Sequence, residues 1–429
     1  MARAANHDLH RTVSPPAPGA LPRLLPDPPA SRLVDHLARL GPVPDRVEHL
    51  AAAVGEAGLR GRGGAGFPTS VKMAAVAKGR RTFVVANGTE GEPASAKDKT
   101  LLAVSPHLVL DGAVLAARAV GAREVYVCVE RGASRTVEAV QLALDERLAA
   151  RIDPVELTLA LTPNRYVAGE ESALVHWLNG GEAKPTFVPP RPFERGVEGR
   201  PTLVDNVETL AHIGLIGRFG AGWWRSVGTA EDPGSALVTV SGGVARPGVY
   251  EVPLGTGLAA VLASAGAAPE ATRAVLMGGY FGTWIAGAAV PQVSLGAASL
   301  ARAGTSFGCG AIAVLPAKVC PLVEAARVAR WLADQNAGQC GPCMFGLPAI
   351  ADAMDALVRG EKSGNAERAL ARWTGMVKGR GACKHPDGAA RFVESSVRVF
   401  ADEVALHRRR GPCARTAPLL PVPAGGGWR

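Results

Sequence analysis

Aromatic side chains are scarce, at 5% of 429 residues, so any core must be built from Ala, Val and Leu, which the 47% hydrophobic content supplies. Long apolar runs are missing too. No stretch reaches the ~18 consecutive apolar residues of a membrane-spanning helix. The N-terminus, proline-rich from Pro15 to Pro29, has no continuous apolar run of the kind a secretory leader needs. Cysteines number only seven. That is too few for a disulfide framework, and in a reducing compartment paired cysteines point to metal or redox work. These absences lead us to expect a cytoplasmic chain with no direct membrane insertion. The formal net charge is +9, but the basic residues are scattered and Arg408-Arg409-Arg410 is the clearest run, so no nucleic-acid partner is expected. Glycine (52) and proline (33) are plentiful, about a fifth of the chain together, yet below the roughly 25–30% of low-complexity sequence. At about 100–200 residues per domain, the length suggests about two to four domains.

Residues 1–30 read as a disordered proline-rich arm. Helical patterning begins after Ser31, which we expect to cap Leu33-Val34-Asp35-His36-Leu37. A loop with five glycines follows, from Gly58 to Thr69, with a helix opening at Val71. Next come apolar strand runs at Thr82–Ala86, Glu124–Val129 and Val155–Leu161. Helical patterns at Leu108–Val120 and Ser134–Leu148 separate them. This alternation predicts βαβ units and a mostly parallel, Rossmann-like α/β domain over residues 31–228. Residues 229–310 change to short strands at Ala236–Ser241, Val249–Val252 and Ala274–Met277 with one short helix, a small α+β domain. Residues 311–406 are helical, with cysteines between helices, and 407–429 read as a flexible tail.

The motifs with chemistry in them fall at loops. Gly61, Gly63, Gly64 and Gly66 let backbone approach an anionic or planar ligand, and the helix start after them favours phosphate. Taken alone, such a loop is often only a turn. Two acidic segments follow strands: Asn87-Gly88-Thr89-Glu90-Gly91-Glu92-Pro93 and Gly169-Glu170-Glu171-Ser172. Carboxylates at strand ends suit a cleft at the C-terminal edge of a parallel sheet, although unpaired they are more often a solvated face. Cys340-Gly341-Pro342-Cys343, with Cys383 further on, places thiols close enough to share a metal or cluster. A redox dithiol is the rival reading, but a thioredoxin-like motif expects a strand before it, and here Val323–Leu332 reads as a helix. Zinc and cubane iron–sulfur clusters both take four ligands, and only three cysteines converge. The helical pattern runs over the fifteen residues Pro321 to Gln335, about 22 Å at ~1.5 Å per residue, which puts Cys320 at its far end from Cys340. Cys128, Cys309, Cys320 and Cys413 are therefore expected only to pack.

Six segments in one order resemble the family of NADH-oxidising, FMN-carrying F-type subunits of respiratory complex I and its soluble dehydrogenase relatives. They are Gly58 to Thr69, Asn87 to Asp98, Tyr166 to Leu174, Pro201 to Thr209, Ser241 to Gly255, and Gly338 to Cys343 with Cys383. The resemblance spans about residues 32–405. It implies an FMN-binding α/β domain, a ubiquitin-like SLBB domain and a C-terminal helical iron–sulfur domain. It implies FMN between Gly61 to Gly66, Lys72, Asn87, Glu90 and Asn206, and counts Gly61, Arg62, Gly63, Gly64, Gly66, Gly169, Glu170, Glu171 and Asp205 among the cofactor-binding residues. It implies NAD(H) or NADP(H) stacked on Phe67 with Glu92 and Glu171 near its polar groups, Phe67 and Glu92 being the expected catalytic residues. It also implies a 4Fe-4S or 3Fe-4S cluster on Cys340, Cys343 and Cys383, with electrons leaving to a ferredoxin or an electron-accepting subunit. A flavin suits such a junction because it takes a hydride as two electrons and releases them singly.

The departures from the family pattern are specific. A cluster cysteine is replaced by Ala337, leaving an iron corner for water, Asn336 or a partner's ligand. The family's Asp in the second motif is Thr89, a second nucleotide-site aromatic is Ala75, and a Lys and a Phe become Val188 and Arg191. A lost ring stack and a lost charged hydrogen bond together are worth roughly 2–4.5 kcal/mol, or about 30- to 2000-fold in nicotinamide affinity unless Arg191 compensates by meeting a phosphate. Two alternatives therefore stay open: an electron-transfer subunit with a non-nicotinamide donor, or a cofactor-poor scaffold of the same fold.

Overall fold

The computed structural model describes residues 17–45, 49–361, 364–414 and 417–428. Its first layer is a four-stranded sheet in the order β3-β2-β1-β4, with every pairing parallel. The strands are β1 (Phe83–Gly88), β2 (Glu124–Glu130), β3 (Glu156–Thr162) and β4 (Thr202–Asn206). β1 opens Phe-Val-Val-Ala and is buried on both faces, as a parallel strand covered by helices must be. Helices Pro106–Val120 and Val207–Arg225 pack together beside it. Gly112 sets their approach, because a Cβ there would stand 1.7 Å from the Leu210 carbonyl oxygen.

A buried ion cluster ties this layer to the first helix, Leu33–Leu40. The Asp111 carboxylate accepts from His36 Nε2 at 2.6 Å, Arg147 Nη1 at 2.8 Å and Arg218 Nη2 at 2.7 Å. Burial alone would raise the Asp111 pKa, but Arg218, His36 and Arg147 hold it far below the ordinary carboxylate range. Ser31 does not cap this helix. The Leu33 N–H donates to Glu146 Oε2 at 2.8 Å instead, a partner more than a hundred residues away in sequence.

The second unit is a five-stranded mixed sheet ordered β6-β5-β9-β7-β8. Its strands are β5 (Ser235–Gly242), β6 (Gly248–Pro253), β7 (Thr272–Met277), β8 (Thr283–Ala286) and β9 (Ala311–Pro316). β9 lies parallel to β5 at the centre of the sheet, so this unit runs past the expected boundary at residue 310. The third unit is helical: Pro321–Asp334, Leu347–Arg359, Asn365–Val377, His385–Val399 and Ala401–Arg410.

Both expected free ends need correction where they are described. Within the expected N-terminal arm, Leu24 is fully buried, and Arg23 donates to the Trp224 carbonyl at 2.9 Å while its backbone N–H donates to Glu251 Oε2 at 2.7 Å. Residues 1–16 of that arm lie outside the described residues. Within the expected tail, Leu420 is buried and its N–H donates to Glu324 Oε2 at 2.8 Å. Further along, Trp331 Nε1 donates to the Pro423 carbonyl at 2.7 Å, and the Trp428 ring lies 4.2 Å from the Arg165 guanidinium. Proline-rich sequence without a period suggests an unstructured segment, yet it can strap a surface through carbonyl acceptors that need no partner strand.

Among the described residues, no single helix is long and apolar enough to cross a membrane. The apolar pair Lys97–Val104 and Pro106–Val120 bends by 96° at its break, and the second helix is buried in the core.

Candidate functional site

The C-terminal ends of β1 and β4 meet under the glycine loop, at the edge where a parallel sheet opens to ligands. Arg60 and Pro68 bridge the loop's base, and Gly61 N–H donates to the Phe67 carbonyl at 2.9 Å. Gly64 (φ +115°) and Gly66 (φ +62°) take backbone angles that side-chain-bearing residues avoid. A Cβ at Gly66 would meet nothing within 4 Å, and one at Gly64 only the Gly308 backbone at 3.9 Å. The loop is thus a cradle that only glycine can form without strain, and no atom of the described residues fills its open face. Phe67 stands at its end, 46% exposed, with one ring face available to a planar ligand.

Asn87 and Asn206 close the strand ends. Asn87 Nδ2 donates to the Gly169 carbonyl at 2.8 Å, which brings the third motif to the first strand. Asn206 caps helix Val207–Arg225 through Glu208 N–H at 3.0 Å, and its Nδ2 donates to Asp98 Oδ2 at 2.7 Å. Lys97 lies buried between Asp98 (2.7 Å) and Glu208 (2.9 Å), a charge balance inside the wall of the cleft. Lys72 Nζ donates to the Val204 carbonyl at 2.8 Å and sits 3.3 Å from Asp205 Oδ1 and 3.9 Å from Glu171 Oε2. Burial pulls the Lys72 pKa down, but Asp205 and Glu171 outweigh it and raise it. Asp205 Oδ2 and Thr69 Oγ1 are buried without a hydrogen-bond partner among the described residues. Unfilled donors and acceptors beside a glycine cradle are what a polar cofactor with a phosphate and a ribityl chain would satisfy, so these residues fit FMN.

Three expected cofactor contacts turn out to be struts. Arg62 points its guanidinium inward, donating to the Ser235 carbonyl at 3.1 Å and lying 3.6 Å from Glu208. Glu90 accepts from Asp98 N–H, Lys99 N–H and Ser95 Oγ, so both its oxygens serve the start of helix Lys97–Val104. Glu170 caps helix Glu171–Leu178 through Ser172 and Ala173 N–H groups. These hydrogen bonds tie the three side chains to the walls of the cleft. Glu171 is partly open, with Arg191 Nη1 3.5 Å from it. Arg191 therefore already has an anionic partner.

Glu92 joins the first two units. Its Oε2 accepts Tyr280 N–H at 2.8 Å and the Tyr166 hydroxyl at 3.0 Å, and its Oε1 accepts Ala94 N–H at 3.1 Å. Burial pushes its carboxyl up to about 7 despite these donors, with Glu90 adding repulsion. Tyr166 opens the third of the family-like segments, but the sequence assigns it no role. Its ring makes edge contacts with Phe281 (4.9 Å between centroids), Trp331 (5.1 Å) and His385 (5.7 Å). His385, pushed down to about 4 by burial, stays neutral at pH 7, and its Nε2 lies 2.8 Å from the Leu332 carbonyl. This aromatic group fills the space between the Glu92 carboxylate and the cysteine loops. The nearness of Tyr166 and His385 in sequence to the motif residues Gly169 and Cys383 is the only sequence signal for it.

Cys340, Cys343 and Cys383 converge. Cys343 and Met344 N–H both donate to the Cys340 carbonyl, at 3.1 and 3.0 Å, in the turn before helix Leu347–Arg359. The Cys343 thiol contacts Cys340 and feels Cys383, and burial together with these neighbours raises its pKa. Burial pushes the Cys383 thiol up to about 11. The Ala337 N–H points at the Cys343 sulfur, so the alanine stands at this site. Asn336 is not a spare ligand, because its Oδ1 accepts Gly338 N–H at 2.8 Å and its Nδ2 donates to the Ala333 carbonyl. Three thiols near one another, with the Ala337 N–H beside them, fit three corners of an iron–sulfur cluster.

Comparisons with known proteins agree with this geometry. Residues 54–215 match the Nuo51 FMN-binding domain, 237–279 the SLBB domain, and 324–407 the NADH-ubiquinone oxidoreductase-F iron-sulfur binding region. The chain is 30% identical over 389 residues to the second F-type subunit of the NADH-quinone oxidoreductase of Rhizobium meliloti (strain 1021), covering 86% of this chain and 90% of that protein. It is 32% identical over 380 residues to the F-type subunit of the same enzyme in Streptomyces coelicolor, covering 84% and 83%. Among solved structures it resembles a chain of the NAD+-reducing [NiFe]-hydrogenase in the air-oxidised state, with a TM-score of 0.78, 31% identity and 90% of this chain covered. This chain spans 65% of the length of that hydrogenase chain. Similarity of this extent across three regions in one order makes the chain a member of the family of NADH-quinone oxidoreductase F-type subunits.

Proposed function

We propose that this chain is an NADH-oxidising, electron-transferring subunit, with FMN in the cleft above β1 and β4 and an iron–sulfur cluster on Cys340, Cys343 and Cys383. The observation that carries this reading is the meeting of the positive-φ glycine loop, the strand-end Asn87 and Asn206, and Lys72 around one open cradle. When bound, FMN supplies two-electron to one-electron exchange and the cluster supplies single-electron carriage. The residues hold and orient these groups. Lys72 presents a cation to the flavin side, and Asp205 and Thr69 offer it unpaired oxygens. Phe67 offers a ring to the nicotinamide dinucleotide, and Glu92, held by Tyr280 and Tyr166 where the first two units meet, carries a proton close to neutral pH. The partner is a ferredoxin or another electron-accepting subunit, and we place the chain in the cytoplasm.

The test is FMN-dependent reduction of ferricyanide by NADH. Activity that appears on FMN reconstitution and is lost in a Lys72→Met variant supports the reading, and FMN-loaded protein inert to NADH opposes it. A donor other than a nicotinamide is favoured by one observation: Ala75 and Val188 occupy positions where the family carries an aromatic and a lysine. A double variant Ala75→Phe/Val188→Lys that binds NADH no more tightly than the parent would remove that support.

A further inference from the structure

A second cluster of ligand-type side chains lies at the opposite end of the helical unit from Cys340, Cys343 and Cys383. Cys320 precedes helix Pro321–Asp334, Glu403 and His407 stand one turn apart on helix Ala401–Arg410, and Cys413 follows that helix. One ligand atom from each lies within 4.8 Å of all the others. From sequence, Cys320 and Cys413 are expected only to pack, because Cys320 lies a helix length from Cys340 and Cys413 falls in the C-terminal tail. Only the fold brings these residues together, from three segments of chain.

We propose that Cys320, Glu403, His407 and Cys413 bind one Zn2+ ion and that the ion clamps the C-terminal segment to the helical unit. With zinc–sulfur bonds of about 2.3 Å and zinc–nitrogen or –oxygen bonds of about 2.0–2.2 Å, the edges of a tetrahedral site measure roughly 3.3–3.8 Å. Cys320 Sγ lies 3.4 Å from His407 Nε2, His407 Nε2 lies 3.4 Å from Glu403 Oε1, and Cys320 Sγ lies 4.0 Å from Glu403 Oε1. Two of these separations match a tetrahedral edge and the third is slightly longer, while Cys413 Sγ lies within 4.8 Å of the other three, so a modest contraction closes the site.

The orientation of His407 strengthens the assignment. Its Nδ1 lies 2.8 Å from the Val358 carbonyl, which can only accept, so Nδ1 carries the proton and Nε2 is left as the electron pair facing the other three ligands. This is how metal-binding histidines are set. Cys320, Glu403 and His407 are buried, and two thiols, an imidazole and a carboxylate form a donor set that favours zinc over hard cations. Four protein ligands leave no open position, which marks a structural rather than a catalytic ion. A Cys320–Cys413 disulfide would use the two sulfurs but would leave the convergence of Glu403 and His407 without a purpose.

The site sits where the chain leaves helix Ala401–Arg410, at Gly411 (φ +77°), and begins its return over the helical unit. Beyond it, Leu420, Pro421 and Pro423 bond to Glu324, Tyr280 and Trp331. A metal at this corner fixes the direction of that return. Helix Pro321–Asp334 separates it from the cysteine turn by about 21 Å at ~1.5 Å per residue over its 14 residues. The two metal sites can therefore be emptied separately.

Full-length protein from zinc-sufficient medium should carry one zinc per chain, with an X-ray absorption spectrum of mixed sulfur and nitrogen/oxygen ligation. Cys413→Ser, at a half-buried position beyond the last helix, should lose the zinc and keep the iron. It should also become sensitive to trypsin after Arg408, Arg409 or Arg410. Cys343→Ser should lose iron and keep the zinc. Metal-free protein with Cys320 and Cys413 both open to alkylation, or joined as a disulfide, would overturn the proposal. So would another metal in the site, or zinc that survives Cys413→Ser and leaves with Cys343→Ser.

Discussion

The Glu92 carboxylate accepts three hydrogen bonds and still titrates close to neutrality, rising from an ordinary 4.5 to about 7. That gap corresponds to about 3 kcal/mol at ~1.36 kcal/mol per pH unit. The folded chain then holds more protons than the unfolded chain between those two values. Stability from this group is therefore full below about pH 4.5, declines as pH rises, and is lost above about pH 7. Glu92→Gln cannot titrate, but its amide nitrogen turns a donor toward one of the three N–H or O–H groups. The resulting mismatch costs about 1–2 kcal/mol at every pH. The variant should thus be less stable than the parent at pH 4.5 and more stable at pH 8, with the crossing between them. At an unfolding entropy of ~2.1 cal/mol/K per residue, each kcal/mol moves the Tm of a chain this long by about 1 °C. Paired melting curves by tryptophan fluorescence at half-unit pH steps would resolve the crossing. A Tm difference that stays constant with pH, or one that moves against the variant as pH rises, would refute the burial argument.

Gly64→Val should weaken FMN binding by about 5- to 150-fold, since backbone strain at φ +115° costs about 1–3 kcal/mol, and circular dichroism should show the fold kept; flavin retained at parental affinity by fluorescence titration would count against the loop contact. Asp111→Ala leaves Arg147, Arg218 and His36 buried around a missing anion and should destabilise the chain by about 3–5 kcal/mol in urea unfolding. A loss below about 1 kcal/mol would mean the cluster is hydrated and weak. Ala337→Cys should supply a fourth thiol and slow the loss of iron in air, followed as decay of the cluster's visible absorbance. Unchanged decay would show that the fourth corner is already closed by something else.

Much of the first domain can be read directly from sequence, because its strands are apolar runs and its helices keep their period. Short or mixed strands cannot be read in this way. β4 has five residues and ends in Asp205-Asn206, polar groups that serve the cleft and hide its strand character. β9 is wholly apolar, but it follows a glycine-rich stretch, and only its pairing with β5 and β7 shows that it closes the second unit rather than opening the third. The site's glycines, Asn87, Asn206 and Lys72 are visible as motifs. The division of labour among the carboxylates is not. Glu90 and Glu170 look like ligand contacts in sequence, and only three-dimensional geometry reveals them as helix caps. The chain ends escape sequence reading for a related reason, since burial of Leu24 and Leu420 depends on partners far away in sequence.

That this cleft holds FMN and takes electrons from a nicotinamide is tested most directly by titrating anaerobically purified, FMN-loaded protein with NADH. Flavin absorbance should bleach on addition of NADH, and the cluster's absorbance should fall with it. Flavin that stays oxidised under excess NADH and NADPH, yet bleaches with dithionite, would contradict the assignment.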